Sequence, residues 1–495
     1  DATLTARDGG LSLSGNLLGF DGEFFRLSTE YGDLTVDAAA VICDGPACPD
    51  LAAPRADIRI TGADDAARRL LPPLLSAFAR ARGLTWAIQQ SDQGFTAQID
   101  EPRSGQRLAD IVFAPAPPAD ARRMIENGFA DLSVAALSSP EVNARVLAME
   151  ALVPLVARDN PVQRVKTADL ARALTGEITN WRDLGGPDMP VVLHGLNAGS
   201  ALQIAAEARL GQSIDAAVVH ESPAVLAEAV ARDPWALALS GVTVAGDARV
   251  LPITDSCDFP LPASALAVKA EDYPLSAHLY LLAPRRRLPL LAREFLEFLA
   301  TDAAQAAVAA AGFIDRRPVR MPLTGEGQRL LNAIRNAGPE VSLEELQRLA
   351  AAMTGAERLS LTFRFEDGSS ALDAASQDAL AQLGRLIAAR SFDGYALTFA
   401  GFSDGSGEAA VNLDLSRDRA QAVRAALARE APDLTGADLP AVEAYGEALP
   451  IACDTTFAGR KANRRVELWL HPLSSWDGPP PEGQAVATEP AEQIP

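Results

Sequence analysis

Tyr395-Ala396-Leu397-Thr398-Phe399-Ala400-Gly401-Phe402 runs into Ser403-Asp404-Gly405-Ser406-Gly407, and the next stretch carries Asn412, Leu415-Ser416, Arg419-Ala420 and Val423. The first eight residues are a strand-like run, which Gly405 and Gly407 break. A helix is expected after the break, because Leu413, Ser416, Ala420, Val423 and Leu427 recur at three- and four-residue spacing. Asp404 therefore falls at a strand end and Arg419 on a helix, fifteen residues on, where side chains distant in sequence can converge. Gly459-Arg460 and a late strand, Asn463-Arg464-Arg465-Val466-Glu467, complete the series.

In this order the residues resemble the OmpA-like peptidoglycan-binding domain, over roughly residues 357–472. The resemblance implies an α+β fold and a ligand, the diaminopimelate of a peptidoglycan stem peptide. That ligand presents an ammonium and a carboxylate on one carbon. A receptor needs an acid for the first and a guanidinium for the second, since Arg pairs with carboxylate in a bidentate, geometrically selective way. The resemblance assigns these roles to Asp404 and Arg419 and adds Asn412 to the binding set. Arg464 or Arg465 offers a second carboxylate contact; the alternative is a strand-edge Arg facing water. Phe402 and Ser403 stand where the family has His-Thr. Neither is the charged partner, so the anchor is expected to survive with altered affinity.

The whole chain bounds what this domain is attached to. Its 495 residues suit three or four domains, and 48% hydrophobic with 22% charged residues is ordinary for folded, soluble ones. A net charge of −21 argues against nucleic acid and anionic lipid surfaces. No run of about 18 apolar residues is present, so no membrane-spanning helix is expected. The first residue is Asp1 rather than Met, consistent with a removed signal peptide and export. Cys43 and Cys48 flank a turn that can bring them within disulfide range, and an exported protein favours that bond. Cys257 and Cys453 could staple two domains or stay buried and free. Metal binding would want more Cys or His nearby, and the chain has four His; no metal or cofactor is expected.

Residues 1–53 alternate apolar and polar side chains and read as a small β-meander, closed by the Cys43–Cys48 turn, too small alone for much core and expected to dock on a neighbour. Residues 54–320 alternate strands (Ile58–Thr61, Ala109–Phe113, Ala151–Val156) with helices, the last an Ala-rich helix from Phe295 to Ala311. Such alternation argues a doubly wound α/β sheet. Residues 321–356 read as two connecting helices, Gln328–Ala337 and Leu343–Met353. Residues 473–495 are rich in Pro, Glu and Ala and are expected to be disordered.

Within 54–320, Thr175-Gly176-Glu177-Ile178-Thr179-Asn180-Trp181-Arg182-Asp183-Leu184-Gly185-Gly186 resembles the phosphate-type periplasmic solute-binding proteins. Thr61-Gly62-Ala63-Asp64, Tyr273-Pro274-Leu275, Leu279-Tyr280 and Gly312-Phe313 follow the same family in order. The resemblance implies a two-lobed fold. The chain as a whole is thus expected to be α/β and multidomain: a small β-rich unit, the two-lobed fold, a helical connector and the OmpA-like domain. The family captures an oxyanion with helix N-terminal amides, hydroxyls and an Arg. Carried onto this chain, the solute positions are Ala63, Asp64, Ser138, Ser139, Gly199 and Ser200. Several depart from the pattern. Ala198 and Ala63 replace hydroxyls, the Arg after the Ser138-Ser139 pair is missing, and His194 stands near another expected Arg. Dehydrating phosphate without those partners costs several kcal/mol, so tight phosphate binding is disfavoured. Another polar solute, with an amine that Asp64 or Asp65 could meet, is one alternative. Both acids also read as ordinary first-turn helix residues, and His194 as a strand-end surface residue.

The function expected from sequence is a non-catalytic periplasmic protein, held at the cell wall or outer membrane by its OmpA-like domain and carrying a solute-binding domain with an altered ligand site. The alternative is an envelope scaffold whose binding-protein fold contacts a protein partner and takes no solute. An enzyme is not expected: Gly-x-Ser-x-Gly, His-Glu-x-x-His and a phosphate-cradling Lys loop are all missing.

Overall fold

The computed structural model describes the chain apart from residues 1, 8–9, 21–22, 46, 49–54, 324–326, 337–339, 367–368, 370, 435, 437 and 476–495. The tail expected to be disordered lies, from residue 476 on, outside the described residues, as does the end of the first connecting helix. The chain forms two compact units. One comprises Asp1–Ala157, Val192–Ala248 and Ala277–Arg317, and the other Arg158–Val191, Arg249–Ser276 and Pro318–Pro495.

The first unit opens with a five-stranded antiparallel sheet. Gly32–Asp37, Phe24–Thr29, Ser12–Phe20 and Ala2–Ala6 lie side by side, with Val41–Asp44 beyond Ala2–Ala6. Alternation puts Leu4, Phe25, Leu27 and Val41 into a small core. A Cys43–Cys48 disulfide with a Cα separation of 5.8 Å closes the last turn. Glu23 accepts from Arg287 at 3.0 Å and Arg293 at 3.3 Å, and Arg287 lies over the Phe24 ring. The small sheet thus leans on the larger part of its unit.

That larger part is a mixed sheet. Ala56–Gly62 is parallel to both Arg107–Pro115 and Leu132–Ala135, and Val192–Leu196 is parallel to both Val218–His220 and Ala236–Gly241. These are the two lobes. Asn143–Val156 carries the chain from one lobe to the other and Ser276–Ala283 carries it back. Both pair antiparallel with a lobe strand, as does Gly94–Asp100 near one edge, so the sheet departs from an all-parallel doubly wound order. The helix expected over Phe295–Ala311 is two helices, Leu290–Phe298 and Asp302–Ala310. Thr301 is the cause: its hydroxyl accepts from Ala304 N and starts a new helix.

In the second unit Arg320–Pro322, Glu357–Phe363, Arg465–Pro472, Tyr395–Phe402 and Ala441–Ala444 form a sheet in that order. Phe363, Phe399, Val466 and Leu468 on one face pack under Leu380 and Leu383 of helix Ala374–Ala388 and Val423 and Leu427 of helix Ala409–Glu430. Phe402 and Trp469 on the other face join Tyr445 and meet Leu349 and Met353 of helix Leu343–Met353. Ser342 opens that helix with a reciprocal capping box to Glu345. Both faces are therefore dry, and burying each aromatic ring contributes roughly 2–3 kcal/mol. Gly401 is required by close approach: a Cβ there would sit 2.0 Å from Ser416 O on helix Ala409–Glu430. Cys257 and Cys453, left open by the sequence, form a second disulfide within this unit, between its segments Arg249–Ser276 and Pro318–Pro495.

Candidate functional site

Two arrangements bear on function, one in each unit. In the second unit, Tyr395–Phe402 ends at the loop carrying Asp404, helix Ala409–Glu430 carries Arg419, and Arg464 stands between helix Phe457–Asn463 and strand Arg465–Pro472. Asp404 Oδ2 accepts from Arg464 Nη1 at 2.8 Å, and Oδ1 accepts from Ser406 N at 3.0 Å. Burial pushes the Asp404 carboxyl up, but the hydrogen bonds from Arg464 and Ser406 outweigh it and hold its pKa below the ordinary value. Each oxygen keeps a lone pair for another donor.

Arg419 is in a different state. Its Nη1 is buried and has no hydrogen-bond partner among the described residues. Burial, and then the nearby Arg464 charge, lower its pKa against the pull of Asp404. A guanidinium does not lose its proton in a protein, so the cost of burying the cation stands until an anion arrives. Arg419 and Arg464 open on a cavity of about 410 Å³ whose walls also include Arg364 and Lys461.

Other residues singled out by sequence lie behind this front. Asn412 is 2% exposed and donates to Glu447 Oε2 at 2.6 Å, so it braces the helix from inside. Burial raises the Glu447 pKa, and the Asn412 bond opposes that rise. Arg465 corrects the expectation of a surface contact. Its side chain is fully buried, donates from Nε to Glu467 at 2.6 Å and lies 4.2 Å over the Phe402 ring. The reason is strand alternation: Arg465, Glu467 and Trp469 share the face roofed by the connecting helices. Burial alone would raise the Glu467 pKa, yet Arg329, Arg358 and Arg465 hold it well below the ordinary value. Phe402 likewise points inward, with ring centroids 5.8 Å from Tyr445 and 6.0 Å from Trp469.

Sequence reasoning missed Asp454. Its Oδ2 accepts from Gly405 N at 3.0 Å and its Oδ1 from Asn463 Nδ2 at 2.8 Å, so one carboxylate fixes the neighbours of both Asp404 and Arg464. Gly459 lets this loop close, since a Cβ there would meet Cys453 O at 1.9 Å.

In the first unit, the loop before helix Ala201–Leu210 carries Gly199 and Ser200, the positions at which the sequence resemblance expects an oxyanion on helix N-terminal amides. Those amides are taken. Gly199 N donates to Asn197 Oδ1 at 3.0 Å, Ser200 N to Asn197 O at 3.0 Å, and Ala201 N to Asp65 Oδ1 at 3.0 Å. Ser200 Oγ donates to Asp65 Oδ2 at 2.6 Å. Asp65, from the first turn of helix Asp64–Ala81, thus takes up these last two donors with its own carboxylate. Asp64 turns away to Arg68 at 2.7 Å. Ala63, Gly199, Ser138 and Ser139 border a cavity of about 250 Å³, and Ser139 Oγ bonds Glu141. His194, expected at the surface, is buried and pairs through Nδ1 with His220 Nε2 at 2.9 Å. Burial and then the His220 charge lower its pKa.

A family model described as a PBP superfamily domain matches residues 50–303, more than half of the chain. The chain belongs to that superfamily. A second model, the OmpA family, matches residues 364–464. The probable lipoprotein YiaD of Escherichia coli (strain K12) is 32% identical over 109 residues, 22% of this chain, and the chain spans about half (48%) of that relative's length. An ABC-type phosphate transport receptor from Vibrio cholerae aligns at 18% identity and a TM-score of 0.42, covering 52% of this chain and 99% of its own. A putative phosphate ABC transporter substrate-binding protein with bound phosphate from Clostridium perfringens aligns at 15% identity and a TM-score of 0.42, covering 53% and 100%. The molecule is therefore a fusion of a two-lobed PBP-type fold and an OmpA-family domain, with a small N-terminal sheet.

Proposed function

We propose that this is a non-catalytic periplasmic protein, anchored to peptidoglycan through its OmpA-family domain and carrying a binding-protein domain whose oxyanion site is filled by Asp65. The observation that carries the anchor is the buried Nη1 of Arg419, which has no hydrogen-bond partner among the described residues and lies within the field of Asp404. A diaminopimelate centre supplies what each lacks: its carboxylate for Arg419, its ammonium for the remaining lone pairs of Asp404. Arg464 shares the carboxylate side, while Asn412 and Arg465 hold the frame.

The altered solute site is supported by the closed loop at Gly199–Ala201. A phosphate arriving there would have to displace a carboxylate that already makes bonds at 2.6 and 3.0 Å, and would then face its negative charge. The models that the chain matches, a PBP superfamily domain and the OmpA family, support a reading of capture and tethering rather than chemistry.

Co-sedimentation of the full chain with purified sacculi tests the anchor. Sacculi of the diaminopimelate type should carry the protein down, and free diaminopimelate should release it. Sacculi with lysine at that position lack the second carboxylate and should leave the protein in the supernatant. Equal binding to both would overturn the role given to Arg419.

A further inference from the structure

The 250 Å³ cavity beside the closed loop is not an anion site, and its walls say what it would admit. Ala63, Ala121, Ile125, Val142, Ile204 and Leu282 are among its walls, which are mostly apolar. Arg122 stands on the wall too, but it pairs with Glu126 at 2.9 Å and Glu141 at 2.8 Å. Ser139 is likewise spent on Glu141. A charged ligand would therefore give up its hydration for no free counter-charge. Of the polar side chains on the wall, Ser138 is exposed, whereas Ser133 is 1% exposed and its Oγ has no hydrogen-bond partner among the described residues. A buried hydroxyl without a partner is costly, so its presence calls for explanation.

We propose that this cavity binds a small, uncharged, largely apolar molecule through one oxygen or nitrogen that hydrogen-bonds Ser133. The proposal rests on the reading that Asp65 closes the oxyanion loop. Apolar cavities of about 150 Å³ hold benzene. The present volume suits a ring of that kind with a few further heavy atoms.

Phenol and toluene are matched probes: nearly the same shape, both uncharged at pH 7, and one with a hydroxyl. Calorimetric titration of the full chain should show saturable binding of both, with phenol tighter by roughly three- to tenfold, the range of one neutral hydrogen bond. Ser133→Ala should erase that preference and leave toluene unchanged. It removes a hydroxyl that makes no internal bond, so it should fold like the parent. Ile204→Trp, checked for folding by circular dichroism, should fill the cavity and abolish both. Failure of both probes to bind, or a phenol preference that survives Ser133→Ala, would overturn the proposal. A parallel titration with inorganic phosphate separates the two readings. If all three are silent, the ligand class is wrong and the closed loop stands. If phosphate binds and Ser200→Ala abolishes it, the closed loop is wrong and this proposal falls with it.

Discussion

Arg419 and the amides at Gly199–Ala201 both present positive charge or donor groups to an anion, yet the protein treats them in opposite ways. At Arg419 a buried guanidinium nitrogen has no hydrogen-bond partner among the described residues, and the side chain borders a cavity. At the head of helix Ala201–Leu210 three successive amides and a hydroxyl are satisfied from within, two of them by a single carboxylate 135 or more residues away in sequence. The first arrangement leaves a buried cation uncompensated, at a cost in stability; the second satisfies its donors from within. On the proposed reading, a receptive site is recognised by the bonds it does not make, and a closed one by bonds that look like ordinary capping.

Substitutions can break this contrast. The largest effect is expected from Arg419→Ala. A charge-assisted, bidentate contact to a carboxylate is worth roughly 3 kcal/mol, so sacculus binding should fall about a hundredfold in sedimentation assays. Thermal stability should hold or rise, because a buried cation is relieved. A fall in Tm with binding intact would mean that Arg419 is a structural residue and the contrast is false.

Asp454→Ala sharpens the same side. It frees Gly405 N and Asn463 Nδ2 without touching Asp404 or Arg464. Losing two positioning hydrogen bonds of about 1 kcal/mol each should weaken sacculus binding by at most roughly thirtyfold, less than Arg419→Ala. An unchanged affinity would remove Asp454 from the site.

Asp65→Ala attacks the other side. Losing a carboxylate that caps a helix costs about 1 kcal/mol, visible as a lower Tm. The emptied loop should then respond to phosphate: added phosphate should raise the Tm of the variant and leave the parent unchanged. A parent that phosphate already stabilises would show that the loop was never closed.

The smallest effect is the pH dependence of the anchor. The Asp404 pKa is depressed in the folded protein, so its contribution is fully present above the unfolded value of about 4 and is lost as pH falls through the folded value. Sacculus binding should therefore be flat from pH 7 down to the ordinary carboxylate range and fall only below it. Loss of binding between pH 7 and 5 would point to a different titrating group.

These residues also show what a sequence can and cannot disclose. The strand Tyr395–Phe402, the helix after it, and the position of Asp404 and Arg419 at their ends were legible, because periodicity and glycine breaks are local signals. The inward turn of Arg465 was legible in principle. Arg465, Glu467 and Trp469 alternate along one strand, and an Arg two residues from a Glu and four from a Trp suits a buried pair under a roof. The roof itself, helices Gly327–Asn336 and Leu343–Met353, had been read only as a connector. The break at Thr301 was visible as a capping residue inside an Ala-rich run. The closure by Asp65 left no local trace. Asp65 reads as a first-turn acid, and nothing near it announces a bond to a loop more than a hundred residues on; only tertiary packing makes that contact.

Calorimetric titration of the full chain with a soluble diaminopimelate-containing stem peptide, set beside the same titration with inorganic phosphate, tests the central claim most directly. The account predicts saturable heat with the peptide, lost in Arg419→Ala, and none with phosphate. Heat with phosphate and none with the peptide would contradict it, because the open and closed sites would then have been assigned the wrong way round.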